Sequence, residues 1–160
     1  MADVFSKAKR SQVMSRIRSR GNRATELALV TLLRANGITG WRRHQKLMVK
    51  KLMVDGGGKR GLNDQPSTKD HPLTVRPDFV FRQHRLAVFV DGCFWHACPR
   101  HATKPRSNAA FWRRKLARNR ARDALVTREL RRAGWRVVRI WECSLRKNPQ
   151  ACVRRVCSHF

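Results

Sequence analysis

The chain has no tyrosine, only ten Asp and Glu against 37 Lys and Arg, and no apolar run near the ~18 residues that a membrane span needs. The scarcity of acids leaves a formal charge of +27 over 160 residues. So one-sided a charge calls for a polyanion, with nucleic acid the first candidate, and gives no reason to expect a membrane partner. The opening MADVFSKAKRSQVMSRIRSR has neither an apolar stretch nor a cleavage site, which points to a cytoplasmic protein. Five cysteines are an odd number, and without secretion they read as thiols or metal ligands rather than a disulfide framework. What is present argues against a disordered basic tail: five Trp, seven Phe and 41% hydrophobic residues suffice for one core.

Residues 1–23 read as a flexible basic arm and residues 24–160 as a single domain. The spacing of Leu27, Val30 and Leu33 predicts a helix over Ala24–Asn36, stopped by Gly37. Glu26 in its first turn suits the helix dipole, a sufficient reason for an acid there. A short strand is expected over Ile38–His44. Residues 45–74 hold Gly56-Gly57-Gly58 and repeat Lys-Leu-Met-Val at 46–49 and 51–54; this stretch is expected to be a disordered insertion. Pro77–Phe81 and Leu86–Asp91 flank a polar tetrapeptide and predict a β-hairpin, whose second strand is apolar throughout and therefore central. A helix is predicted over Ser107–Ala133, because Trp112, Leu116, Asn119, Asp123, Val126 and Leu130 share one stripe while Arg113, Arg114 and other arginines take the opposite faces. Gly134 stops it, Trp135–Trp141 forms a strand, and Asn148-Pro149 opens a C-terminal helix. Alternating helices and strands predict an α/β domain around a mixed sheet flanked by helices.

Four constellations carry chemistry. Cys93, Cys98, His101 and Cys143 supply three thiolates and an imidazole, a donor set that suits a structural zinc ion. The alternative is three buried thiols acting as small apolar residues, which is the better reading for Cys152 and Cys157. Asp78 and Asp91 flank the apolar hairpin, where paired carboxylates could hold Mg²⁺; strand-end Asp also serves in turns and caps. His96 follows Asp91 in the cysteine-rich loop, where a neutral imidazole can deprotonate water near pH 7, or act as another metal ligand or a surface group. His44, His71, His84 and His159 have no comparable context. Phe94, Trp95 and Trp112 are candidate wedges for a base stack with arginines on the flanking phosphates, although Trp112 also fits the core stripe of its helix.

The segments PDFVF (77–81), VFVDGCFWHACPRH (88–101), FWRRKLARNRARD (111–123) and GWRVVRIWEC (134–143) resemble the very short patch repair (Vsr) DNA mismatch endonuclease family. The N-terminal DVFSKAKRSQVMSRIRSRGNRATELAL is similar to that family's arm and first helix. The resemblance implies a restriction-endonuclease-like fold of the PD-(D/E)xK type and an Mg²⁺-dependent monomer. Its expected reaction is a nick in duplex DNA on the 5′ side of the T in T·G mismatches left by deaminated 5-methylcytosine. Other mismatch-repair proteins are candidate partners. By position, Asp78 would hold Mg²⁺ and His96 would be the general base. Cys93, Cys98, His101 and Cys143 would hold zinc; Phe94, Trp95 and Trp112 would be the wedges. Glu26 and Asn119 fall on motif positions near the active site. Some members carry Thr-His where this chain has Val90-Asp91, so the Val90 carbonyl or the Asp91 carboxylate would complete the Mg²⁺ site. The lysine expected two residues beyond the second acid is replaced by Cys93, which favours His96 as base. A non-catalytic, zinc-stabilised nucleic-acid-binding module is the alternative, and a basic structural protein such as a ribosomal component is a third reading.

Overall fold

The computed structural model describes residues 12, 23–49, 72–101, 105 and 107–160. The first helix starts as a π turn at Arg23–Leu27 and continues as α1 (Ala28–Ala35). It buries Leu29, Val30 and Leu33. Its end is a Schellman turn: Ile38 N–H reaches Leu33 O at 2.9 Å and Gly37 N–H reaches Arg34 O at 3.0 Å, with Gly37 at φ +68°. The long helix α2 (Ala109–Arg132) ends the same way at Gly134, φ +77°. Two helices follow, α3 (Glu142–Lys147) and α4 (Pro149–Cys157); the Asn148 side chain caps α4 by accepting from Ala151 N–H. The sequence reading has no counterpart of α3.

The described residues also form six strands: β1 (Trp41–Arg43), β2 (Leu47–Val49), β3 (Leu73–Val75), β4 (Phe79–Phe81), β5 (Leu86–Asp91) and β6 (Arg136–Trp141). The main sheet has the order β1-β4-β5-β6. The predicted hairpin is β4–β5, with Phe79 opposite Val88, and β6 runs parallel to β5. The sheet is therefore mixed, with α1 and α4 on one face burying Phe79, Phe81, Leu86, Val88 and Val90. Val80 and Ala87 point to the other face and pack with Leu130 of α2 and with Leu47, Val49 and Val75. Each large apolar side chain so buried contributes about 1.5–3 kcal/mol.

The expected insertion is narrower than residues 45–74. Leu47–Val49 and Leu73–Val75 pair as an antiparallel ribbon, because the alternation of Leu47 and Val49 about exposed Met48 lets the ribbon close one face of the core. Its remainder lies outside the described residues, as do nearly all of residues 1–23.

Both parallel strands end at the same level. Asp91 is registered with Trp141, so Cys93 and Cys143, each two residues further on, leave the sheet side by side. Among the described residues no helix is long and apolar enough to cross a membrane.

Candidate active site and metal centres

Beyond the carboxyl end of β5 lies a cleft of about 560 Å³ lined by Glu26, Asp78, Val90, Asp91, His96 and Asp123, among others. The hairpin positions Asp78: its carboxylate accepts the Val90 N–H at 2.7 Å. Burial pushes its pKa up to about 6, against the Val90 hydrogen bond, and the nearby Glu26 and Asp91 carboxylates push the same way.

His96 is braced by Asp123, which the sequence places on the inward stripe of α2. Its Nδ1 lies 2.6 Å from Asp123 Oδ2 and 3.6 Å from Asp91 Oδ1. Burial pushes the Asp123 carboxyl up, but the His96 hydrogen bond and the Arg139 charge outweigh it and hold Asp123 below the usual carboxylate range. With Nδ1 engaged, Nε2 is the ring nitrogen left to take a proton.

Asp91 shares the cleft with Asp78, but its carboxylate is turned to Arg139. The residue is 3% exposed, and both carboxylate oxygens accept from Arg139, at 2.7 and 2.6 Å. Arg139 also reaches Asp123 Oδ1 at 3.1 Å and lies over the Phe89 ring. Both oxygens of this carboxylate are thus engaged in charge-assisted hydrogen bonds to one guanidinium. The pairing joins positions 48 residues apart, and no local pattern announces it.

The partners that gather around Asp78 are Glu26 and His44, whose ligand atoms and that of Asp78 all lie within 4.8 Å of one another. Glu26, 5% exposed, sits on the π turn, a rare element that is frequent at functional sites. Its Oε2 lies 2.7 Å from Arg43 Nη2 and 2.9 Å from His44 Nε2. The dipole account of Glu26 is thus incomplete. His44, which has no such context in the sequence, acquires one here: it directly follows β1, which pairs with β4, and its N–H donates to the Asp78 carbonyl at 3.3 Å.

The Cys93, Cys98, His101 and Cys143 donor atoms also lie within 4.8 Å of one another. Cys98 Sγ is 3.9 Å from Cys143 Sγ and 3.7 Å from His101 Nδ1. A tetrahedral ion with ligands at about 2.3 Å separates its donors by about 3.7 Å, so the set fits zinc. Burial pushes the Cys98 thiol up, but N–H groups of Arg100 and His101 and the His101 ring outweigh it and favour the thiolate. Burial pushes the Cys93 thiol up. Ala97, between His96 and Cys98, has φ 53°, a strained conformation for a residue with a Cβ. Cys152 is buried in the core and Cys157 packs against it, as expected.

Beside the cleft, Phe94, Trp95 and Trp112 form a ring cluster with centroids 5.1 to 5.9 Å apart, and Phe111 adjoins Trp112. Lys115 Nζ lies 5.5 Å from the Trp95 centroid. Asn119 is turned inward, its amide donating to the Trp95 carbonyl at 2.9 Å, so it positions the loop. Arg113 and Arg114 are exposed on the same helix. Trp41 packs edge-on against Phe79 in the core.

The family model described as DNA mismatch endonuclease Vsr matches residues 49–101. The DNA mismatch endonuclease Vsr of Escherichia coli (strain K12) is 33% identical over 147 residues, covering 91% of this chain and 77% of that protein. The chain belongs to the Vsr DNA mismatch endonuclease family. The type II nicking enzyme V.NmeAIP of Neisseria meningitidis serogroup A is 30% identical over 158 residues, 98% of this chain and 92% of its own. V.NaeI of Lentzea aerocolonigenes, also a type II nicking enzyme, is 53% identical over 70 residues, 44% of this chain and 42% of that protein. Membership makes the chain a DNA endonuclease and agrees with the sheet flanked by helices.

Proposed function

We propose that this Vsr-family endonuclease nicks one strand of duplex DNA on the 5′ side of the T in a T·G mismatch, using a divalent cation held at Asp78. The observation that carries the reading is the convergence of Asp78 and the Asp123-braced His96 on one cleft. A desolvated Asp78 carboxylate whose proton affinity is raised by burial and by its acidic neighbours suits a divalent cation, and Mg²⁺ is the ion the family resemblance implies. In a strand, N–H and C=O of one residue leave by the same edge, so the Val90 carbonyl faces the Asp78 side and is available as a further oxygen. When bound, the cation supplies Lewis acidity to the phosphate and lowers the pKa of water. His96 Nε2 then accepts the proton of the attacking water, while Asp123 holds the ring orientation and stabilises the imidazolium that forms. In-line attack leaves 3′-hydroxyl and 5′-phosphate ends.

Phe94, Trp95 and Trp112 enter the base stack in this reading. Unstacking costs a few kcal/mol and least at a mismatch, which favours mismatched DNA. Arg113 and Arg114 neutralise flanking phosphates. Zinc at Cys93, Cys98, His101 and Cys143 fixes the loop that carries His96 and both adjacent rings. The test is incubation of the protein with end-labelled matched and T·G duplexes, with and without Mg²⁺. A single Mg²⁺-dependent nick 5′ of the mismatched T, lost in Asp78→Ala and His96→Ala while DNA binding persists, is expected. Equal cleavage of matched duplex refutes the mismatch specificity; unimpaired variants refute the site.

A further inference from the structure

The second donor cluster is not built from oxygen alone. His44 contributes nothing to the core, yet the fold holds it at φ 52°, in the left-handed region, and ties its N–H to the Asp78 carbonyl. That placement sets Nε2 2.9 Å from Glu26 Oε2. An octahedral ion with ligands at about 2.1 Å spaces adjacent donors by about 3.0 Å, so the two atoms stand as neighbouring ligands would. The positive charge now at this place comes from Arg43, and it fits poorly: its Nη2 reaches Glu26 and His44, but its Nε is buried without a hydrogen-bond partner among the described residues. A small divalent ion between Glu26 and His44 would take the place of this guanidinium contact.

We propose that His44 is a nitrogen ligand of the cation at Asp78 and Glu26, and that it tilts the site from magnesium toward transition-metal dications such as Mn²⁺. The inference rests on the reading of Asp78 as the cation-holding carboxylate. Mg²⁺ demands oxygen donors and gives up its water reluctantly, whereas imidazole is a good ligand for first-row transition dications. An all-oxygen site would support Mg²⁺ without such a preference. Mg²⁺ still binds through the carboxylates, so the effect is one of relative affinity. Thiolates are poor ligands for Mn²⁺, which keeps the probe away from the cysteine cluster.

The experiment uses the full chain, titrated with Mn²⁺ and Mg²⁺ without DNA and followed by calorimetry and electron spin echo spectroscopy of bound Mn²⁺. Mn²⁺ is expected to bind at least about tenfold tighter than Mg²⁺, with imidazole nitrogen coupling that changes on ¹⁵N-histidine labelling. In His44→Gln the coupling disappears and the preference falls to within about threefold. Oxygen-only coordination in the parent overturns the proposal and needs no variant to fold. Coupling that survives in His44→Gln overturns it too, because another histidine is then the ligand. If Asp78→Asn abolishes Mn²⁺ binding in either case, Asp78 remains the cation site and only the role of His44 falls. If Mn²⁺ binding is indifferent to Asp78→Asn, both readings fall.

Discussion

Replacing Asp78 by Asn should make the cation-free protein more stable while destroying its catalysis. Asn keeps an oxygen for the Val90 N–H at 2.7 Å but removes the charge. In the folded chain the Asp78 pKa rises from 3.8 to about 6, chiefly through burial. Each tenfold change in proton affinity is about 1.4 kcal/mol, so the ionised carboxylate costs about 3 kcal/mol, or roughly 2–3 after allowing for its partial exposure. The folded state binds the proton more tightly than the unfolded one, so stability falls as pH rises from about 4 to about 6 and then levels off. At pH 7.5 Asp78→Asn should therefore melt roughly 4–12 °C above the parent, and at pH 3.5 the two should coincide. Thermal denaturation followed by circular dichroism in buffer freed of divalent ions, run from pH 3.5 to 8, measures the gap. Adding Mg²⁺ or Mn²⁺ should stabilise the parent by about 2.7 kcal/mol at a hundred times the dissociation constant and leave the variant unmoved. An Asn variant no more stable than the parent at pH 7.5, or a gap that does not close in acid, refutes the reasoning.

Asp123→Asn should slow nicking by about 10³–10⁴-fold by releasing the His96 ring, with mismatch binding in a gel-shift assay unchanged. Arg139→Met leaves the buried Asp91 carboxylate without its guanidinium and should cost about 3–5 kcal/mol in urea unfolding, much of it recovered when Asp91→Asn is added. Metal analysis should find zinc in the parent and far less in Cys143→Ser, and a chelator should lower the parent's melting temperature but hardly move that of the variant.

Local pattern carried much of this fold. Gly37 and Gly134 marked helix ends that both became Schellman turns, and the unbroken apolar run Leu86–Val90 marked the central strand. The six-residue stripe of α2 is legible as well, but the pairing of its Asp123 with His96 is not. An acid on the inward stripe of a chain with ten acids was the available signal that it had a partner. The cysteine cluster was legible by donor type, since thiolates and imidazole have few other uses in such a loop. Most of what the sequence hides has one cause, which is pairing across distance. The ribbon Leu47–Val49 with Leu73–Val75 joins segments separated by the residues between them. The Arg139–Asp91 clamp depends on parallel strands, and His44 acquires meaning only when β1 docks on β4 beside Glu26. The helix α3 was missed because Glu142-Cys143 follows the strand with no turn residue to mark the change.

The level register of β5 and β6 also determines where this enzyme can change length. Asp91 faces Trp141, with the cleft and the cysteine cluster just beyond, while Leu86 faces Arg136 at the opposite end. One residue inserted within either strand would flip every later side chain to the other face, dismantling a clamp and a cluster together. The turns at Arg82–Arg85 and Ala133–Trp135 lie at the far end, where added residues leave that alignment untouched. Loop grafts, affinity tags and circularly permuted termini therefore belong there.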